Sequence, residues 1–260
     1  MRRFAAFLIA SLACVAAPAS ADELAPTGTL RATFIATNPV QAVTDAQTGE
    51  VRGPAAELTR ELARRLGIPF TITGAQGVPG VLESVKTGKA DIGFLAFDPQ
   101  RAVEVDFSQP YSLAQNTYVV LEGSPIRSGA EIDRPGLRIG ATTRDAGELF
   151  LTRTLKAAEL IRNPGGNLDV AVRQLKAGEI DAYATNRQRL SELVARTPGL
   201  RLLPDNFYAV EQSIIVAKGN PGLPRVDRFL DEARASGLIA AAIARAGLAG
   251  VDVAPRREAR

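Results

Sequence analysis

Val85-Lys86-Thr87-Gly88-Lys89-Ala90-Asp91 is echoed further along the chain by Leu175-Lys176-Ala177-Gly178-Glu179-Ile180-Asp181. Each copy follows an amphipathic helical pattern and precedes an apolar run, at residues 92–97 and 182–185. An apolar-Lys-x-Gly ending is by itself only a common helix stop. The spacing says more. Between the copies lies Gly136-Leu137-Arg138-Ile139-Gly140-Ala141, a strand pattern, followed by a predicted helix over about 145–161. The chain therefore reads as two units, each built as strand, helix, then helix–glycine–strand. Strands alternating with helices argue for parallel sheets and the α/β class.

The first unit opens on a strand at residues 30–35, followed by a helix that starts at Pro54, where the missing N–H costs nothing. Leu58, Leu62 and Leu66 recur on one face, Gly67 stops the helix, and residues 68–73 read as the next strand. Glu61 and Arg65 stand four apart on the wet face, a structural pairing. Two further apolar runs, Thr117-Tyr118-Val119-Val120-Leu121 and Ser213-Ile214-Ile215-Val216-Ala217, flank the second unit. Side by side they would form a two-stranded connection between lobes, with helices over 223–248 returning to the first. The expected organisation is residues 22–118 plus 214–252 as a discontinuous lobe 1, residues 119–213 as lobe 2, and residues 253–260 as a frayed tail.

Residues 1–21 have the three parts of a secretory leader: Arg2 and Arg3, an apolar run, and Ala19-Ser20-Ala21. The apolar run is too short and Ala-rich to span a membrane as a permanent helix. Cleavage after Ala21 and export to the periplasm are expected, and Arg2-Arg3 leaves a twin-arginine route open. Cleavage would lower the formal charge from +3 to +1 by removing the two arginines, so basicity is no argument for a nucleic-acid partner. It would also remove Cys14, the one cysteine, from a chain that has no histidine. The mature chain then has no thiol nucleophile, no imidazole base and no His/Cys metal site. No cofactor is expected.

Residues that could meet a ligand sit where strands end, as in open α/β sheets. Arg101 follows a strand and an Asp98-Pro99 helix-start pattern, and its planar fork suits a carboxylate. The alternative is an ion pair with Glu104 or Asp106. Thr143 and Arg144 precede the second-unit helix and Asp145 begins it, where the first N–H groups suit an anion; Asp145 would otherwise be an ordinary N-cap. Asn186 ends the strand at 182–185, and Asn38 follows the first strand with Gln41; each is a cleft-edge residue or a turn residue.

These pieces, taken in order, resemble the family-3 extracellular solute-binding proteins, the periplasmic receptors of polar amino acid ABC importers. The resemblance covers about residues 29–251. It is carried by Gly53, Glu57-Leu58, Glu61-Leu62-Ala63 and Leu66-Gly67, by both Gly-x-x-Asp turns, by Gly136…Ile139-Gly140, and by Arg101…Val105-Asp106-Phe107-Ser108-Gln109-Pro110-Tyr111. It implies two α/β lobes joined by two crossing strands, a periplasmic binding protein-like fold that closes on a small ligand as a monomer and docks on an ABC permease. It also implies that Arg101 grips a carboxylate with N–H donors from the helix start at 143–146, and that Ala96 and Phe97 in the loop before Arg101 are ligand contacts. Where the family has an ammonium-binding aspartate this chain has Asn186, and where it has Gly-Thr this chain has Arg144-Asp145. Alternative readings are a small-acid dehydratase using Asp145 or Glu148, and a solute-sensing module.

Overall fold

The computed structural model describes residues 22–256. The leader at residues 1–21 therefore lies outside the described residues. Along the chain run β1 (Leu30–Ile35), a hairpin of β2 (Val43–Thr44) and β3 (Val51–Arg52), α1 (Pro54–Leu66), β4 (Phe70–Ala75), α2 (Gly77–Lys86) and β5 (Ile92–Ala96). The long β6 (Val105–Leu121) leads to β7 (Arg138–Thr142), α3 (Ala146–Thr154), β8 (Glu159–Asn163), α4 (Leu168–Lys176), β9 (Ala182–Asn186) and α5 (Arg187–Arg196). Then come β10 (Leu200–Leu202), β11 (Tyr208–Ala217), α6 (Leu223–Ala235), α7 (Leu238–Arg245) and β12 (Val251–Val253).

The sheet order β4-β1-β5-β11-β6-β9-β7-β8 splits into two parallel groups, β4-β1-β5 and β9-β7-β8. The antiparallel pair β11 and β6 joins them. Each group has its own core. Leu30, Phe34, Leu58, Leu62, Phe94, Ile214 and Phe229 pack together in one half. Tyr118, Val120, Ile139, Leu151 and Leu203 form a cluster in the other, beside a second built on Leu175, Tyr183 and Leu190. This is the mixed α/β periplasmic binding protein fold, with α6 and α7 packed on the first half.

The repeated Gly-x-x-Asp turn has the same job in both halves. Asp91 accepts from the Arg31 backbone N–H at 2.8 Å and from the Arg31 guanidinium at 2.6 and 3.1 Å, while its own N–H donates to the Arg31 carbonyl. Asp181 repeats this on Arg138, at 2.8 Å to the backbone and 3.2 and 3.3 Å to the side chain. Each aspartate thus ties the helix-to-strand turn to the start of the half's first strand. The pairs differ in burial, with the Asp91 side chain 3% exposed and the Asp181 side chain 29% exposed. Asp91→Ala should therefore cost about 2–3 kcal/mol in urea unfolding and Asp181→Ala about 1 kcal/mol, since solvent screens the second pair. Equal losses would contradict this.

Gly140 has a packing role: a Cβ there would sit 2.7 Å from Ile180 Cδ1 and Tyr183 Cδ2, closer than a side chain tolerates.

Several expectations are corrected. The helix placed over 145–161 stops at Thr154, because Asp133 accepts from the N–H groups of Lys156, Ala157 and Ala158 and turns the chain into β8. The runs at 117–121 and 213–217 do not lie side by side: the first pairs with β9 and β10, and Ile215–Ala217 pairs with Val105–Phe107. The crossing strands are β6 and β11, joined through other residues. The tail is held further than expected, since β12 pairs with β6, Ala254 is fully buried and Arg256 meets Asp231 at 3.2 Å.

Candidate functional site

A cleft of about 380 Å³ opens between the halves, at the carboxyl ends of β1, β4, β7 and β9. Ligands bind at this end of open α/β sheets. One wall carries Thr37, Asn38, Gln76 and Val78; the other carries Thr142, Thr143, Arg144, Asp145, Gly165, Gly166, Asn186 and Arg189. Asn38, Thr143, Arg144, Asp145 and Asn186 were singled out in the sequence, and the structure brings them together here.

Arg101 does not line this cleft. It is 5% exposed, and its guanidinium donates to the carbonyls of Ala96 at 2.8 Å and Arg144 at 2.7 Å. Burial pulls its pKa below the usual arginine value, opposed by the charges of Asp145 and Asp98. Neither Glu104 nor Asp106 is its partner, because Lys86 holds the first and Lys218 the second. Asp98 does not cap a regular helix: it accepts from Gln100 N–H and pairs across the cleft with Arg153 at 3.2 Å. Ala96 packs on Ala146 and Val210, and the Phe97 ring meets Phe107 edge-on with centroids 5.3 Å apart. Neither Ala96 nor Phe97 lines the cavity. The cause is geometric: the 3₁₀ turn at Arg101–Val103 folds the arginine back under β5, toward the carbonyl at its end.

The helix start expected to receive a carboxylate is also engaged with its own chain. Thr143 N–H donates to the Asn163 carbonyl, Arg144 N–H to Glu148 Oε2 at 3.0 Å, Asp145 N–H to the Thr142 carbonyl, and Ala146 N–H to Asp145 Oδ1 at 2.7 Å. Asp145 is thus the N-cap of α3, and its second oxygen accepts from Thr185 Oγ1 at 3.1 Å. Asn186 is the N-cap of α5, accepting from Arg189 N–H at 2.9 Å, while its amide donates across the cleft to Asn38 Oδ1 at 3.3 Å. Gln41 is buried in the first half, accepting from Ile35 N–H and bonding Gln212, and does not reach the cleft.

Two lining features escaped the sequence reading. Arg189 donates to the Gly166 carbonyl at 2.6 Å and has no carboxylate partner among the described residues. The cap at Asn186 places it in the first turn of α5, so the cap assignment itself points to Arg189. The Pro164-Gly165-Gly166 turn follows β8, which the overlong helix had hidden.

Arg144 is the one non-glycine residue with positive φ among the described residues, at 64°. The left-handed region costs a side chain roughly 1–2 kcal/mol relative to glycine. Arg144→Gly should therefore raise stability by about 1 kcal/mol in thermal unfolding, and Arg144→Ala, which keeps the Cβ, should not. A loss in the glycine variant would contradict the strain.

Among the described residues no helix is long and apolar enough to cross a membrane, and no cluster of metal-ligating side chains occurs.

The sequence model of the bacterial extracellular solute-binding proteins, family 3, matches residues 30–247. A probable histidine-binding protein of Campylobacter jejuni is 24% identical over 159 residues, which cover 59% of this chain and 59% of that protein. The chain thus spans little more than half the length of that relative. Among solved structures, a putative ABC-transporter binding component from Wolinella succinogenes, complexed with lysine, superposes with a TM-score of 0.72 at 21% identity. That match covers 84% of this chain and 95% of the other. An ancestral arginine-binding protein bound to arginine gives 0.70 at 25% identity, over 84% and 97% of the two chains.

Proposed function

This chain belongs to family 3 of the bacterial extracellular solute-binding proteins, and on that premise we propose that it captures an amino acid or related small carboxylate in the interlobe cleft and delivers it to an ABC importer. Relatives that carry arginine or lysine in the solved structures support a ligand of that size. The observation that carries the reading is the cavity walled by both halves, with polar contacts running between the halves. Asn38 meets Asn186, Arg101 meets the Arg144 carbonyl, and Asp98 meets Arg153.

In this reading residues 22–118 plus 214–252 form one lobe and residues 119–213 the other, hinged on β6 and β11. Asn38 reaches the ligand from the first lobe, and Thr143, Arg144, Asp145, Asn186 and Arg189 from the second. Only the closed arrangement presents both walls at once, so ligand shifts the open–closed equilibrium toward it. Arg101 acts beneath the ligand by holding the Arg144 carbonyl. The protein works in the periplasm as a monomeric receptor and turns nothing over.

A thermal-shift panel of amino acids, small carboxylates, amines and sulfonates tests this. A binder present at a hundred times its Kd adds about 2.7 kcal/mol of stability, which raises the melting point by several degrees. A flat response across the panel would remove the receptor reading. Product formation from any bound acid would replace it with an enzyme.

A further inference from the structure

We propose that the ligand this cleft selects is a small dicarboxylic acid, with or without an amino group, rather than a cationic amino acid. The inference rests on the receptor reading above and specifies its ligand.

Three charged side chains line the cavity: Arg144, Arg189 and Asp145. Among the described residues neither arginine forms an ion pair: Arg189 donates to the Gly166 carbonyl, and Arg144 acts only at longer range on Glu104, which Lys86 already holds. The one acid already has work for both oxygens, capping α3 through Ala146 and accepting from Thr185. The strand-end position that could carry a second acid is Asn186, whose amide cannot ionise and is spent on the α5 cap and on Asn38. Beneath the floor sits Arg101, a buried cation whose hydrogen bonds go to carbonyls and whose charge is offset by the nearby Asp145 and Asp98.

The balance of the side chains that line the cavity is therefore positive. Within a Debye length of about 8 Å, like charges repel and opposite charges attract without full screening. An ammonium or guanidinium ligand would meet two arginines and one shared carboxylate. A dicarboxylate would give each unpaired arginine an acceptor of matching planar geometry. Two such charges in one small cavity favour a ligand with two acidic ends over a simple monocarboxylate.

Calorimetric titration of the protein with succinate, L-glutamate, L-arginine and L-lysine tests this. Succinate or L-glutamate should bind at least tenfold more tightly than either cation. Arg189→Gln should weaken the acid at least tenfold. Arg144→Gly should weaken it too while folding at least as well as the parent, which separates charge from structural damage. Tighter binding of L-arginine or L-lysine than of both acids overturns the inference and leaves the receptor reading standing. Acid affinity unmoved in both variants does the same. A flat response to every compound in the thermal panel removes both.

Discussion

Arg101→Ala should lower the melting temperature of the ligand-free protein by roughly 5–15 °C, as well as weakening ligand binding at least tenfold. The residue reads in the sequence as a ligand grip, and a side chain serving only that purpose would leave the empty protein's melting unchanged. The structure assigns it more. The residue is 5% exposed and its guanidinium satisfies two carbonyls, one in each half of the molecule. Hydrogen bonds to a charged group contribute about 1.5–3 kcal/mol each, and the carbonyls left behind lose their partner in a site shielded from water. Part of that loss is offset, because deletion also removes a cation that is costly to bury. A net loss of about 2–4 kcal/mol corresponds to the stated shift in a domain of this size. Ligand affinity falls because the Arg144 carbonyl, and with it the Arg144 side chain in the cleft, is no longer held. An empty variant that melts with the parent would contradict this placement.

The second large effect is expected at Asn186. Asn186→Asp should weaken binding of a dicarboxylate by one to two orders of magnitude, about 1.4–2.8 kcal/mol, without harming the fold. Aspartate caps α5 as well as asparagine does, so the bond from Arg189 N–H survives. The donor to Asn38 Oδ1 is lost and replaced by a facing carboxylate oxygen, which weakens a contact across the cleft. A new negative charge also joins Asp145 on the wall that has to receive an anion. The same variant should bind L-lysine or L-arginine better than the parent does. Acid affinity within twofold of the parent would show that Asn186 stands outside the ligand's field.

The fold was largely legible in the sequence because its elements follow local rules. The Leu58/Leu62/Leu66 spacing between Pro54 and Gly67 predicts α1 to its ends. The β1 strand at Leu30–Ile35 was also expected with those bounds. The echoed Gly-x-x-Asp turns mark equivalent points in both halves, and their aspartates clamp Arg31 and Arg138 in the same way.

What escaped was set by distant partners. Residues 155–161 were expected to continue the helix, but Asp133, far back in the chain, caps the turn that makes β8. β6 pairs with four other strands, and its register against β11 shifts between Gln212 and Ile215, which no local pattern encodes. The site was half legible. Thr143, Arg144, Asp145, Asn38 and Asn186 stand at strand ends, which the α/β pattern marks as cleft positions. The direction of Arg101 depends on which carbonyls lie within its reach, and one of them is supplied from the other half of the chain.

Small-angle X-ray scattering of the protein, with and without a saturating amount of the tightest compound from the thermal panel, tests the central claim most directly. Capture by closure predicts a smaller radius of gyration and a shorter maximum dimension when ligand is bound. Superimposable scattering curves at saturation would contradict it, since the two halves would then hold one arrangement whether the cleft is filled or not.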